Sequence, residues 1–225
     1  MTLFQFVAKC HAHKLGTVSF PAKRSLAMTP DLLLALAAFA FVTSITPGPN
    51  NIMLLASGAN FGFRRTVPHL LGIMTGGFAM LLALGFGLGG LFVAVPELHM
   101  VLRYLGGAYL LYLAWKIAGS GAVKPGGGAE RPMTLLQAAA FQWVNPKAWV
   151  MKLGAITTYT PQDGFFVNIL VVGLVFYLVN LPSIASWAGF GVAMRRLLSS
   201  PAQVRAFNIT MAALLVLSLY PLVTG

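Results

Sequence analysis

Hydrophobic positions run along this chain in long stretches, and the charged residues fall between them. No charge occurs from Leu32 to Phe63, from Thr66 to Pro96, from Gly164 to Met194 or from Ala206 to Gly225. Each stretch can hold the roughly 20 apolar residues that a helix needs to cross the hydrocarbon. Two further stretches are interrupted by cations. Tyr104 to Trp115 lies between Arg103 and Lys116, and at about 1.5 Å per residue it is too short alone. Both cations can snorkel to the interfaces, which predicts a third helix from about Val101 to Ala118. The stretch from Pro132 to Gln162 contains Lys147 and Lys152 and still has the length for one crossing. The pattern predicts an all-α integral membrane fold with six transmembrane helices.

Composition agrees, with 58% hydrophobic and only 8% charged residues against about a quarter charged in soluble domains. The net charge of +11 would raise the question of nucleic acid in a soluble protein. Here the cations flank the spans, so topology explains them, with the lipid bilayer and not a nucleic acid as partner. Arg64 and Arg65 follow the first span, Lys116, Lys124 and Arg131 the third, and Arg195, Arg196 and Arg205 the fifth. The positive-inside rule therefore puts the odd loops in the cytoplasm and both termini outside, in the cytoplasmic (inner) membrane of a bacterium.

The tail at 1–27 departs from this with Lys9, Lys14, Lys23 and Arg24, and it lacks the apolar core of a secretory signal. The segment from Met28 reads as a natural start, so the tail is expected to derive from an upstream start codon and to be disordered or absent in the working protein. The only cysteine, Cys10, lies in the tail, and the four acids, Asp31, Glu97, Glu130 and Asp163, lie in loops or at span ends. The core therefore offers no thiol chemistry, and no metal or cofactor is expected.

A glycine-rich polar linker at 120–132 divides the transporter domain, 28–225, into halves of about 28–119 and 133–225. Three spans per half is odd, so the halves must enter the membrane from opposite sides, as in inverted-repeat secondary transporters. A partial echo supports two inverted three-helix repeats with broken first helices. The first span carries Thr46-Pro47-Gly48-Pro49-Asn50-Asn51, and the fourth carries Asn145-Pro146-Lys147. Gly72 and Gly76 form a small-xxx-small pair suited to close helix contact. Gly77, Gly85, Gly87, Gly89, Gly90, Gly106 and Gly107, with the tryptophans Trp115, Trp143, Trp149 and Trp187, are read as packing or interfacial residues.

A mid-span proline removes a donor and pushes away the carbonyl one turn back. In hydrocarbon such broken backbone survives only where protein or water satisfies it. Pro47, Gly48 and Pro49 therefore predict a buried or water-lined break, with a helix N-terminus inside the membrane and the amides of Asn50 and Asn51 beside it. Asn145 predicts an N-cap followed by Pro146 in the first helical position, and Lys147 then sits unfavourably in a first turn. Asn180, Pro182 and Ser183 predict a third break. Helix N-termini plus an ammonium make a carboxylate site, and carbonyls freed by the prolines could receive an ammonium. A zwitterionic amino acid offers both groups. Lys147 is accordingly expected to matter more for substrate recognition than Lys152, which is read as reaching an aqueous edge. His69 is read as interfacial.

At these residues the chain resembles the LysE/RhtB family of amino-acid exporters. The resemblance rests on Thr46-Pro47-Gly48-Pro49-Asn50-Asn51, on "GFRRTVPHLLGIMTGG" from Gly62, on "LGGAYLLYLAWKIA" from Leu105 and on "FQWVNPKAW" from Phe141. It covers essentially Met28 to the C-terminus, and it looks most like the cysteine and O-acetylserine exporter branch. It implies export of a small-molecule amino acid or derivative driven by the proton gradient, and it is compatible with a homo-oligomer. The competing readings are a channel or importer for a small zwitterion and a non-transporting scaffold. A membrane enzyme is disfavoured, since neither H-E-x-x-H nor G-x-S-x-G occurs.

Overall fold

The computed structural model describes residues 28–88, 97–120 and 131–220, and among these every regular element is helical. The tail at 1–27 with Cys10, Gly89 and Gly90, and most of the linker at 120–132 lie outside the described residues. Helix α1, Pro30–Ile45, starts where the Thr29 hydroxyl accepts the Leu32 N–H at 3.2 Å, with Pro30 in the first turn, a placement that suits its missing donor. It buries a single stripe, Leu36, Ala40 and Ser44, one residue per turn on one face.

After a break at 46–48, α2, Pro49–Phe61, runs on at an angle bent by 57°. Every residue of α2 from Asn51 to Ala59 is buried, which makes it the central helix of the bundle. Gly62 turns the chain at φ 82°, a conformation glycine adopts without strain, into α3, Phe63–Ala83. A widened turn, Leu84–Leu88, extends α3, with Gly87 at φ 119°.

Helix α4 is Glu97–Gly119, in agreement with the third span expected from Val101 to Ala118. The segment expected to hold a fourth span forms two helices, α5, Leu135–Val144, and α6, Pro146–Tyr159. Helix α7, Phe165–Leu197, and α8, Pro201–Leu217, complete the described chain. Of these, Phe63–Leu88 and Phe165–Leu197 are long and apolar enough to cross a membrane unaided, and the bent pair α1 and α2 makes a third if it is one span.

Helix α7 is continuous through Pro182 over 33 residues, so the expected third break is absent. The reason is local. A single proline removes one N–H, the donor that would reach the carbonyl four residues back, and the helix continues on either side of it, with Ser183 Oγ adding a bond to the Val179 carbonyl at 3.0 Å.

Helix α7 packs against α1, α2 and α3, α5 packs against α3, and α8 against α4. The closest crossings use glycine. A Cβ on Gly58 would strike the Ala188 carbonyl, and one on Gly191 would strike the Leu55 carbonyl, so α2 and α7 meet at backbone distance. Gly72 and Gly76 face Leu135, Ala138 and Ala139 of α5 in the same way, as the small-xxx-small spacing leads one to expect. At the far end of α2, Asn60 and Asn208 exchange amide hydrogen bonds of 2.8 and 3.1 Å, and Asn208 Nδ2 also donates to the Ser120 carbonyl. These polar ties join α2, α8 and the end of α4 where apolar packing alone would not fix register.

Candidate functional site

The break at 46–48 leaves the last carbonyls of α1 without helical donors, and each finds another one. Asn51 Nδ2 donates to the Ser44 and Thr46 carbonyls, both at 2.8 Å. The Trp187 indole donates to the Ile45 carbonyl at 3.0 Å. The Lys147 ammonium donates to the Thr46 carbonyl at 2.7 Å, to Thr46 Oγ1 at 2.9 Å and to the Pro47 carbonyl at 3.3 Å. Those three acceptors match the three protons of an ammonium. Gly48 lies in extended backbone, and a Cβ there would come 2.7 Å from Lys147 Cδ and 3.1 Å from its Nζ. A larger residue here would have to displace the lysine side chain from its present seat.

The second break is a single residue. Asn145 Oδ1 accepts the Lys147 N–H at 3.1 Å and caps α6, and the Trp149 indole donates to the Trp143 carbonyl at 2.8 Å. The two breaks are joined by a reciprocal amide pair, with Asn50 Nδ2 donating to Gln142 Oε1 at 2.9 Å and Gln142 Nε2 to Asn50 Oδ1 at 3.2 Å.

Between the breaks lies a cavity of about 440 Å³ including its mouth. Of the predicted residues it is lined by Gly48, Asn50, Asn51, Asn145, Lys147 and Asn180. Thr46 and Pro47 are exposed at its edge and meet it through Lys147. Pro49, Pro146, Pro182 and Ser183 shape or sit in the helices and do not line it. Pro182 faces outward.

Sequence reasoning missed Gln142, Ser44 and Lys152, which also line the cavity. Lys152 departs furthest from expectation. It is only 6% exposed and does not reach an aqueous edge. Its Nζ sits 3.9 Å from the centroid of the Phe176 ring, and no hydrogen bond from it occurs among the described residues. Gly77 gives it room, since a Cβ there would lie 3.7 Å from Lys152 Cε. Ser44 Oγ is likewise buried without a partner among the described residues. The signal for both Gln142 and Lys152 was present, as polar side chains inside a span, but their spacing from the break residues gave no face. His69 is 1% exposed and lines a second cavity with Asn60, Lys116 and Arg131 near the other end of α2. No cluster of acids, histidines or cysteines able to hold a metal occurs among the described residues.

Broken helices facing one another across a polar cavity are the architecture of a transporter, and comparison with known proteins agrees. Residues 41–219 match the family model described as LysE type translocator. The chain belongs to the LysE-type translocator family. The translocator is also 34% identical over 191 residues to the cysteine/O-acetylserine efflux proteins of Escherichia coli strain K12 and Shigella sonnei strain Ss046, covering 84% of this chain and 96% of each relative. No solved structure matches it.

Proposed function

We propose that this translocator exports a small neutral amino acid or amino-acid derivative, of the cysteine or O-acetylserine class, across the bacterial cytoplasmic membrane. The observation that carries the reading is the cavity between the breaks, which combines amides, a buried lysine and a lysine on backbone carbonyls, with no acid in its lining. An acid-free cationic cavity selects against free cations and suits a ligand that brings its own carboxylate. The names of the relatives supply the substrate class.

In this reading α1 with α2, α3, α4, α5 with α6, α7 and α8 form six spans. Their arrangement is two inverted halves of about 28–119 and 133–225, with odd loops cytoplasmic. The packing supports it: α1 lies on α7 as α5 lies on α3, and α3 with α7 and α4 with α8 pair across the halves. Alternating access would then rock one half against the other around the cavity.

Export from cells producing the chain, with cysteine, O-acetylserine, homoserine, threonine, leucine and lysine followed in the medium, tests the function. Accumulation of cysteine or O-acetylserine outside, abolished by Pro49→Ala at equal membrane abundance, is expected. Export of lysine or leucine alone would replace the substrate class, and no export of any of the six at normal abundance would reject the reading.

A further inference from the structure

We propose that the cavity is poled for a zwitterion: Lys152 receives the substrate carboxylate, and the Thr46 and Pro47 carbonyls receive its ammonium in exchange for that of Lys147. The proposal rests on the export reading and gives its site a chemistry and an orientation.

The ammonium pole is already occupied in the structure by an ammonium. Lys147 Nζ has all three protons placed on oxygens of Thr46 and Pro47 within 3.3 Å, so the backbone freed by the proline pair binds the R–NH3+ group as such. Its occupant is tethered by a flexible chain and only half-buried, with the edge of the cavity open to receive it when it leaves. A substrate ammonium presents the same three donors and can take the seat without leaving any carbonyl unmade.

The carboxylate pole is defined by what is missing. Lys152 is buried, lines the cavity and has the Phe176 ring as its sole described neighbour of opposite polarity. A ring face stabilises a cation but leaves its N–H groups without acceptors, and a buried charge without a hydrogen-bonded counter-charge is costly. No acid lines the cavity among the described residues. A ligand carboxylate supplies the missing acceptor in a charge-assisted bond. Ser44 Oγ, buried and without a partner among the described residues on the same cavity, and the amide of Asn180, which donates to the weak acceptor Met74 Sδ at 3.7 Å, stand ready as further polar contacts. The poles come from different spans, α1 and α6, so a bound zwitterion bridges them in place of Lys147.

The test measures binding to purified, detergent-solubilised protein of three probes: cysteine, cysteamine, which lacks the carboxylate, and 3-mercaptopropionate, which lacks the ammonium. The expected result is that Lys152→Met weakens cysteine about 10- to 100-fold, leaves cysteamine unchanged and abolishes 3-mercaptopropionate, while Lys152→Arg retains the preference for carboxylates. Lys147→Met is expected to bind cysteamine and cysteine at least as tightly as the unaltered chain, because the competitor for the ammonium seat is gone. Equal cysteine affinity in Lys152→Met, or equal loss of cysteine and cysteamine, would overturn the carboxylate assignment while leaving export intact. Loss of cysteamine binding in Lys147→Met would overturn the exchange. Failure of the unaltered chain to bind cysteine or either analogue would overturn the substrate class and this subsite together.

Discussion

The two helix breaks solve one problem in different ways. At 46–48 the freed carbonyls are filled from three other places: Asn51 in α2, Lys147 in α6 and Trp187 in α7. At Asn145 the repair is local, since its own side chain caps α6 and Trp149 reaches back six residues to Trp143. A break satisfied from its own helix can form as soon as that helix forms. A break satisfied from distant helices depends on their positions, so movement of α6 or α7 changes which donors its carbonyls have. The first break is therefore the one whose hydrogen bonds would respond to the proposed rocking of the halves.

That contrast can be broken at its strongest point first. Asn51→Ala removes two 2.8 Å bonds; the Thr46 carbonyl keeps Lys147 as a donor but the Ser44 carbonyl is left without one, which should cost about 2–3 kcal/mol by the usual penalty for a buried unpaired group. The midpoint of unfolding in a detergent series reads it. Trp187→Phe keeps an aromatic side chain, though a smaller one, and deletes the 3.0 Å bond to the Ile45 carbonyl, so a loss of about 1–2 kcal/mol is expected in the same assay. At the second break, Asn145→Ala removes an N-cap with an expected effect of about 1 kcal/mol, smaller than that of Asn51→Ala. The reverse order would show that the second break is the one that depends on its surroundings. The smallest effect is the coupling across the pair Asn50 and Gln142, where a double-mutant cycle should return about 0.6 kcal/mol, the average for such bonds in membrane proteins.

Much of this was legible in the residues. Charge-free stretches locate α1 and α2 and most of α3, α7 and α8, because charge is costly in hydrocarbon, whereas α4 and the pair α5 and α6 were placed by length despite the cations in them. Pro47, Gly48 and Pro49 mark the first break and Asn145 with Pro146 the second, since only these residue types both interrupt a ladder and cap its restart. The third break was over-read: Asn180, Pro182 and Ser183 contain a proline, but the loss of one donor does not interrupt α7. Lysine placement was read in part: Lys147 lines the cavity as expected, and Lys152 is buried beside it instead of at an aqueous edge. Sequence shows that Lys147 and Lys152 share a span but not that Lys147 finds carbonyls of α1 or that Gly77 on α3 opens a slot for Lys152. Those are contacts between residues some 75 to 100 positions apart in the chain, and no local pattern records them. The glycines divided likewise. Gly72 and Gly76 pack as their spacing indicates, whereas Gly77 next to them serves the cavity.

The most direct test of the cavity as the substrate site uses the single cysteine of the chain. With Cys10 changed to serine, a cysteine is introduced at Thr43, which lines the cavity, or at Ser199, which is exposed between α7 and α8. The rate of modification by a small methanethiosulfonate reagent is then followed with and without O-acetylserine. The account predicts that O-acetylserine slows modification at position 43 several-fold and leaves position 199 unchanged. Identical rates at position 43 in the presence of a concentration that saturates export would contradict it.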